Sequence, residues 1–262
     1  MKKIDLNCDM GESFGAYKLG MDEEVIKLIT SANIACGFHA GDPNVMDHTV
    51  AMAKEYGVGI GVHMGFPDLI GFGRREMDIS SADLINYCIY QIGALQTFCQ
   101  KHGVEIQHMK PHGSLGNMCV VNSRVANAVV DSIKMVFPNT KLFVIPGGEI
   151  HKAAVEKGLS VVQEVFADRA YTNEGNLVSR KLPGSVIKDP DEAVKHVLRM
   201  VVDSKVKTID GELIDIKAES ICVHGDTPGA LEVIRRVRDR LEHAGIEIAP
   251  VGRWHDEQIH RS

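Results

Sequence analysis

Short apolar runs alternate with amphipathic segments along the whole chain, and this alternation restricts the fold more than any other feature of the sequence. The apolar runs have the length and composition of buried strands, which are predicted at residues 3–8, 32–36, 59–63, 105–109, 142–145, 160–164 and 220–223. Helices are predicted at residues 22–29, 43–56, 81–102, 123–137, 149–157, 190–202 and 228–244. Regular alternation of this kind implies a parallel sheet whose strands are joined by right-handed helical crossovers.

The number of strand–helix units and the lack of a linker favour one barrel domain over two small domains, although the chain length alone allows both. The strand–helix units fill 262 residues, and no linker rich in proline or serine divides them. We therefore expect a single β/α-barrel domain over residues 1–262. Alternating apolar residues around an Asp-Gly pair predict an inserted hairpin at 205–216. A doubly wound open sheet shows the same alternation, so periodicity alone leaves that fold as an alternative.

Composition narrows the classes of function. The formal net charge is -6, and no block of five or more basic residues occurs, so nucleic-acid and membrane-surface binding have no electrostatic support. The six cysteines are scattered without a CxxC pair, which is typical of reduced thiols rather than of a disulfide framework. Polar residues interrupt the first ten positions, and no apolar window has the length of a membrane span. We expect a cytoplasmic protein.

Polar side chains suited to chemistry follow nearly every predicted strand. Along the chain these residues are Asn7, Asp9, Glu12, His39, Asp42, His63, Asp68, Lys110, His112, Glu149, Glu164, Asp168, Arg169, His224 and Asp226. The carboxyl ends of parallel barrel strands meet at one end of the barrel, where the following loops converge. The sequence therefore predicts one shared site at that end.

The histidines are the candidate proton-transfer groups of this site. His63, His112 and His224 titrate near neutral pH and suit general acid or base roles, with Asp9 or Asp226 orienting an imidazole. The alternative for each histidine is a structural role, since a histidine at a strand end is often a buried side chain without a catalytic function. Asp226 stands before a proline, where an aspartate commonly caps a helix and contributes about 1 kcal/mol.

Basic side chains are the candidate groups for holding an anion. Lys110 is placed to stabilise an oxyanion or bind a substrate, although a lysine at a strand end can also extend to solvent. Arg74 and Arg75 lie in the glycine-bearing segment "GFGRRE" and fit a carboxylate, which indicates an acidic substrate. The alternative is a surface loop with ordinary charges. Asn7 and His39 complete the predicted substrate-binding set with Asp226.

A divalent metal remains open at this point. Histidine nitrogen and aspartate oxygen suit zinc and similar ions, but neither the HxH nor the HExxH spacing occurs. If a metal binds, its ligands are predicted among Asp9, His39, His63, His112 and His224. The sequence also has no phosphate-binding GxxxxGK[ST] motif, no GxGxxG dinucleotide motif and no GxSxG nucleophile elbow.

Six long segments resemble the lactam-utilisation (LamB/YcsF) family and occur in that family's order across almost the whole chain. They are "DLNCDMGESFG" (5–15), "ANIACGFHAGDP" (32–43), "GVHMGFPDLIGFGRREM" (61–77), "KPHGSLGN" (110–117), "EVFADRAYTNEGNLVSR" (164–180) and "ICVHGDTPGA" (221–230). The resemblance implies an irregular seven-stranded β/α barrel related to sugar deacetylases. It also implies a part in the ATP-consuming opening of 5-oxo-L-proline to L-glutamate, together with separate B and C subunits.

Two departures from the family pattern concern the substrate. The third block begins "GVHMGFPD" instead of a Gly-Ala-His-Pro-like sequence, and Ser114 and Gly116 replace an alanine and a tyrosine. The third block keeps His63, and the block at 110–117 keeps Lys110 and His112. Our leading hypothesis assigns proton transfer or water activation to Asp9 and the three histidines. The alternatives are a stand-alone metal-dependent deacetylase or amidohydrolase, and a non-catalytic scaffold subunit.

Overall fold

Parallel strands close into a seven-stranded barrel in the computed structural model of the chain, which describes residues 2–224 and 229–255. The strands are β1 (Lys3–Met10), β2 (Ser31–Ala35), β3 (Gly59–Met64), β4 (Ile106–Pro111), β5 (Lys141–Val144), β6 (Ser160–Phe166), β7 (Lys205–Lys207), β8 (Leu213–Asp215), β9 (Ser220–Cys222) and β10 (Glu247–Ile248). Strands β1 to β6 pair in sequence order, β6 pairs with β9, and β9 pairs with β1 to close the ring. The closed ring confirms the predicted barrel and excludes the open sheet.

Helices surround the barrel and cover the outward faces of its strands. They are α1 (Asp22–Val25), α2 (Pro43–Tyr56), α3 (Ser81–His102), α4 (Gly113–Val121), α5 (Ser123–Val136), α6 (Glu149–Glu156), α7 (Pro190–Val202) and α8 (Ala230–His243), with a short 3-10 helix at Val251–Arg253. Asp42 caps α2, because its side chain accepts hydrogen bonds from the backbone N–H groups of Asn44 and Val45 at 2.8 and 3.0 Å. Within the described residues, none of the helices combines the length and the apolar character that a membrane span requires.

The barrel is irregular in two places. Strand β10 adds to β1 at Lys3 and Ile4, beside the ring rather than within it. Strands β7 and β8 form a small antiparallel pair in which Lys205 lies opposite Asp215, inside the segment 205–216. This pair lies between α7 and β9 in the chain, and its strands pair only with each other among the described residues.

Several element bounds differ from the sequence prediction. Helix α1 ends at Val25 instead of residue 29, because the chain turns back to the barrel, where the Thr30 N–H donates to the Leu6 carbonyl at 2.8 Å. Helix α4 was not predicted, since its sequence "GSLGNMCVV" carries no clear polar face. Strands β1, β4 and β6 each extend two residues beyond their predicted ends. Two of the predicted site residues therefore lie on strands rather than in loops: Asp9 and Lys110.

Candidate functional site

Lys110 lies at the centre of the polar cluster at the carboxyl end of the barrel. It is 5% exposed, and its ammonium lies 2.9 Å from Asp9 Oδ1, 2.9 Å from Glu164 Oε1 and 3.1 Å from Cys222 Sγ. Burial by itself lowers the pKa of Lys110, but the two carboxylates and the sulfur outweigh burial and hold it well above its usual value. Lys110 is thus a permanent positive charge, and its three closest acceptors, together with Asn7 Oδ1 at 3.4 Å, all lie inside the protein.

A chain of buried side chains fixes the position of Asp9. The Asn33 amide donates to Asp9 Oδ1 at 2.8 Å and to Asn7 Oδ1 at 2.7 Å. His108 in turn lies 2.7 Å from Asn33 Oδ1, and because a carbonyl oxygen can only accept, His108 Nε2 carries the proton. Burial lowers the pKa of His108 to about 3, so this imidazole stays neutral.

Gly61 explains how His108 reaches this position. A Cβ atom on Gly61 would lie 2.0 Å from His108 Nε2, so any larger residue in β3 would occupy the space of the imidazole. The glycine in the middle of a predicted strand thus marks a close approach by a neighbouring side chain. His108 was not predicted as part of the site.

Three histidines converge next to Asp9. The rings of His39 and His112 are stacked, with centroids 3.7 Å apart and planes 6° from parallel. His63 Nε2 lies 2.9 Å from His112 Nδ1 and 3.2 Å from Asp9 Oδ2. Glu12 Oε1 lies 3.6 Å from His39 Nε2 and 3.8 Å from His112 Nδ1. All three imidazoles are at least 95% buried.

Backbone carbonyls fix the tautomers of two of these histidines. His63 Nδ1 lies 3.0 Å from the Lys110 carbonyl, and His112 Nε2 lies 2.9 Å from the Phe72 carbonyl. Each of these nitrogens carries a proton, because a carbonyl oxygen accepts and cannot donate. In the neutral rings the other nitrogens, His63 Nε2 and His112 Nδ1, therefore face each other with lone pairs at 2.9 Å. That arrangement needs a positive species between the rings.

Burial and nearby charges set the protonation states of His39, His112 and Asp9. Burial lowers the pKa of His112 to about 3 and lowers that of His39 well below its usual value. Burial raises the pKa of Asp9, but the nearby His63 and Lys110 outweigh it and hold that pKa well below its usual value. His39 and His112 therefore stay neutral beside the ionised Asp9 carboxylate.

His224 forms a second catalytic candidate with Asp168. His224 Nδ1 lies 3.0 and 2.9 Å from the two Asp168 oxygens, so Nδ1 donates to the carboxylate and Nε2 keeps a lone pair. Burial raises the pKa of Asp168, but the His224 contact outweighs this and lowers it overall. An Arg180 amino group lies 3.3 Å from His224 Nε2. The sequence had suggested Asp9 or Asp226 for the orienting role that Asp168 takes here.

The two arginines of the "GFGRRE" segment differ in their surroundings. Arg75 pairs with Asp68, whose carboxylate also accepts from the Gly71 N–H at 2.9 Å, so this ion pair closes the loop on itself. The Arg74 guanidinium lies 4.9 Å from the centre of the Phe72 ring, next to the carbonyl that holds His112. Arg74 is thus the arginine of this segment whose charge lowers the pKa of His39 and His112.

The structure brings most of the predicted site residues into one cluster: Asn7, Asp9, His39, His63, Lys110 and His112. His224 is continuous with it, since a ligand atom of His224 lies within 4.8 Å of both Asp9 and Cys222. Arg75 is turned towards Asp68, and Asp226 lies outside the described residues. No specific role in the site was predicted for Glu12, Glu164, Asp168 and Cys222. The first three carried a signal, their positions at or after the ends of predicted strands, whereas Cys222 is indistinguishable in sequence from an apolar strand residue.

Comparison with known proteins agrees with this architecture. The LamB/YcsF family model matches residues 4–256. A relative from Clostridium beijerinckii, named as the A subunit of 5-oxoprolinase, is 51% identical over 251 residues, which cover 96% of this chain and 98% of the relative. The crystal structure of a lactam utilization protein from Thermus thermophilus matches with a TM-score of 0.90 and 44% identity, over 94% of this chain and 99% of that one.

A more distant likeness concerns the fold alone. A peptidoglycan deacetylase from Bacillus subtilis is 11% identical, with a TM-score of 0.51 over 99% of this chain and 93% of that one. The match to the family model spans nearly all of the sequence, and the two similar relatives match along nearly their whole length. The chain belongs to the LamB/YcsF family.

Proposed function

We propose that the chain is the A component of an ATP-dependent 5-oxoprolinase, which opens the lactam of 5-oxo-L-proline to L-glutamate while ATP is converted to ADP and phosphate. The name of the Clostridium beijerinckii relative supports this reaction, and its designation as one subunit of an enzyme supports action within a complex. The observation that carries the proposal is the His224–Asp168 pair beside the buried Lys110 cluster. Hydrolysis of an amide needs a base to activate water and positive charge to stabilise the oxyanion.

His224 is the proposed general base. Asp168 holds Nδ1–H, and the carboxylate stabilises the imidazolium that forms when Nε2 takes a proton from a water molecule. For this step the Arg180 guanidinium, 3.3 Å from Nε2, has to release Nε2. Arg180 and Arg74 flank the histidines and are the proposed partners of the substrate carboxylate, because guanidinium groups bind carboxylates with two parallel hydrogen bonds.

Lys110 acts mainly through its charge in this proposal. Its protons are directed at Asp9, Glu164 and Cys222, so direct contact with a substrate requires the loss of one of these contacts. The ammonium keeps Asp9 ionised, and Asp9 in turn lies 3.2 Å from His63. The facing lone pairs of His63 and His112 require a positively charged species between the two rings. We propose that the two histidines take part in water activation together with this species.

ATP consumption is assigned to the complex rather than to this chain alone. An unstrained five-membered lactam is a poor electrophile, so coupling its hydrolysis to ATP makes the opening favourable. The sequence contains no GxxxxGK[ST] phosphate-binding motif, which supports a nucleotide site on the partner subunits B and C.

Reconstitution tests the proposal. The purified chain is mixed with its B and C partners, and glutamate release from 5-oxo-L-proline is followed with and without ATP. We expect glutamate only when all three proteins and ATP are present. Absence of turnover in the full mixture contradicts the proposal. Turnover of an acetylated substrate by the chain alone, without ATP, would instead identify a stand-alone deacetylase.

A further inference from the structure

We propose that Glu12, His39, His63 and His112 bind one divalent transition-metal ion at the barrel mouth. Each of the four offers one ligand atom, and these atoms all lie within 4.8 Å of one another. Three imidazole nitrogens and one carboxylate oxygen are the ligand types of zinc and of similar ions, whereas magnesium and calcium prefer sites made of oxygen atoms alone.

The fixed tautomers provide the first argument. The carbonyls of Lys110 and Phe72 take the outer N–H groups of His63 and His112, as carbonyls commonly do behind metal-bound histidines. The inner nitrogens are left with lone pairs that face each other at 2.9 Å. Without a cation or a shared proton this contact is repulsive, and a bound metal turns both lone pairs into ligands.

His39 provides an independent argument. Its side chain is fully buried, yet neither ring nitrogen makes a hydrogen bond with any residue in the described part of the chain. Gly65 and Gly73 hold this ring closely, since a Cβ on either glycine would lie 2.6 to 2.7 Å from an atom of His39. Burying an imidazole without a hydrogen bond costs a few kcal/mol, so a ligand is the expected partner.

The distances fit an ion better than hydrogen bonds. Glu12 Oε1 lies 3.6 Å from His39 Nε2 and 3.8 Å from His112 Nδ1, well beyond an N–H···O hydrogen bond of about 2.9 Å. Two ligands bound tetrahedrally to zinc, each at about 2.0 to 2.1 Å, lie roughly 3.4 Å apart. The 2.9 Å between His63 and His112 needs to widen by roughly half an ångström on binding.

The charge of the cluster also favours a cation. The Asp9 carboxylate lies 3.2 Å from His63 Nε2 and the Glu12 carboxylate lies 3.6 Å from His39 Nε2, so two acidic groups directly border the ring nitrogens that would bind the ion. A second group of potential ligands, Asp9, Cys222 and His224, fits less well. Lys110 lies 3.1 Å from the sulfur and 2.9 Å from Asp9, so a positive charge already occupies that position.

A metal in this position would polarise the amide carbonyl or a water molecule beside His224, and this use rests on the proposed function. The binding of the metal does not depend on the proposed function, because binding is measured on the purified chain without partners or substrate. The chain is stripped with a chelator and titrated with ZnCl₂ by calorimetry and with CoCl₂ by absorption spectroscopy. His39→Gln and His112→Gln are compared with His243→Gln, which removes an exposed histidine from α8.

We expect one equivalent of zinc in the wild type and in His243→Gln. His39→Gln and His112→Gln should weaken binding by at least about 100-fold, because loss of an outer partner alone costs 10- to 100-fold. Cobalt should show no thiolate charge-transfer band, and Cys222→Ser should bind normally. Circular dichroism of the metal-free variants checks that they are folded. The titration of the wild type tests metal binding even where a variant does not fold.

Three results would overturn the proposal. One is no stoichiometric zinc or cobalt in the wild type, which leaves a proton shared by His63 and His112. Another is full binding in His39→Gln and His112→Gln. The third is a thiolate band, or loss of binding in Cys222→Ser, which assigns the ion to the second group. A bound metal with no glutamate release by the complete mixture would contradict the proposed function alone.

Discussion

Replacing Lys110 by methionine tests whether a buried charge organises the barrel mouth. Methionine has a similar length and no charge, so the substitution removes the ammonium while filling nearly the same volume. Asp9 Oδ1 and Glu164 Oε1, each 2.9 Å from Nζ in the wild type, are then left close together without a counter-charge. Lys110 is 5% exposed, so water replaces little of the lost interaction.

The expected magnitude follows from burial. Breaking a buried ion pair by removing one partner costs about 3 to 5 kcal/mol, because the remaining charge stays desolvated. For a chain of this length that loss lowers the melting temperature by roughly 6 to 20 °C. Lys152→Met is the matched control, since Lys152 pairs with Glu149 at 2.7 Å on the surface with its side chain 67% exposed. Such a pair contributes at most about 0.5 kcal/mol.

Urea unfolding followed by circular dichroism measures both variants at the same pH. The double variant Lys110→Met/Glu164→Gln should recover part of the loss, because it removes one of the two unbalanced carboxylates. If Lys110→Met unfolds within about 1 kcal/mol of Lys152→Met, the buried ammonium does not hold the cluster together, and this part of the reasoning is refuted.

Three further changes test separate parts of the structure. Gly61→Ala should destabilise the fold by about 1 to 3 kcal/mol in urea unfolding, because the new Cβ overlaps His108; a loss under about 0.5 kcal/mol would contradict that packing. Burial raises the pKa of Glu219, but hydrogen bonds from neighbouring groups outweigh it and lower that pKa to about 2. Its ionised form therefore stabilises the fold fully above about pH 4.5, and up to about 3 kcal/mol is lost as the pH falls towards 2. Glu219→Gln should flatten the stability profile over this range, and an unchanged profile would exclude the effect. Asp168→Asn should lower kcat in the reconstituted system by roughly 100-fold or more with little change in KM, because His224 loses the partner of its Nδ1 proton; equal kcat values would remove Asp168 from the mechanism.

The barrel was predictable because strand–helix alternation extends along the whole chain and has few solutions at this length. The clustering of the polar residues after the strands was predictable for the same reason, since parallel strands bring their carboxyl ends together. Helix α4 could not be predicted, because it is packed on several sides and its sequence shows no amphipathic period.

The contacts between the site residues could not be predicted from the sequence. Asp168 contacts His224 from a different strand end, 56 positions away, and no local pattern connects them. Cys222 faces Lys110 only because β9 closes the ring onto β1 and β6. The orientation of the His63 and His112 rings depends on backbone carbonyls, which every residue carries, so their facing lone pairs have no sequence signature.

The claim that the strand-end cluster is the catalytic site is tested most directly by comparing the rates of glutamate release of two histidine variants. Glutamate release from 5-oxo-L-proline is measured for His224→Gln and His243→Gln, each combined with the B and C partners and ATP. Both variants lose one histidine, but only His224 lies in the cluster. We predict that His224→Gln is slower by at least about 100-fold while His243→Gln matches the wild type. Equal rates for the two variants would contradict the assignment of the site.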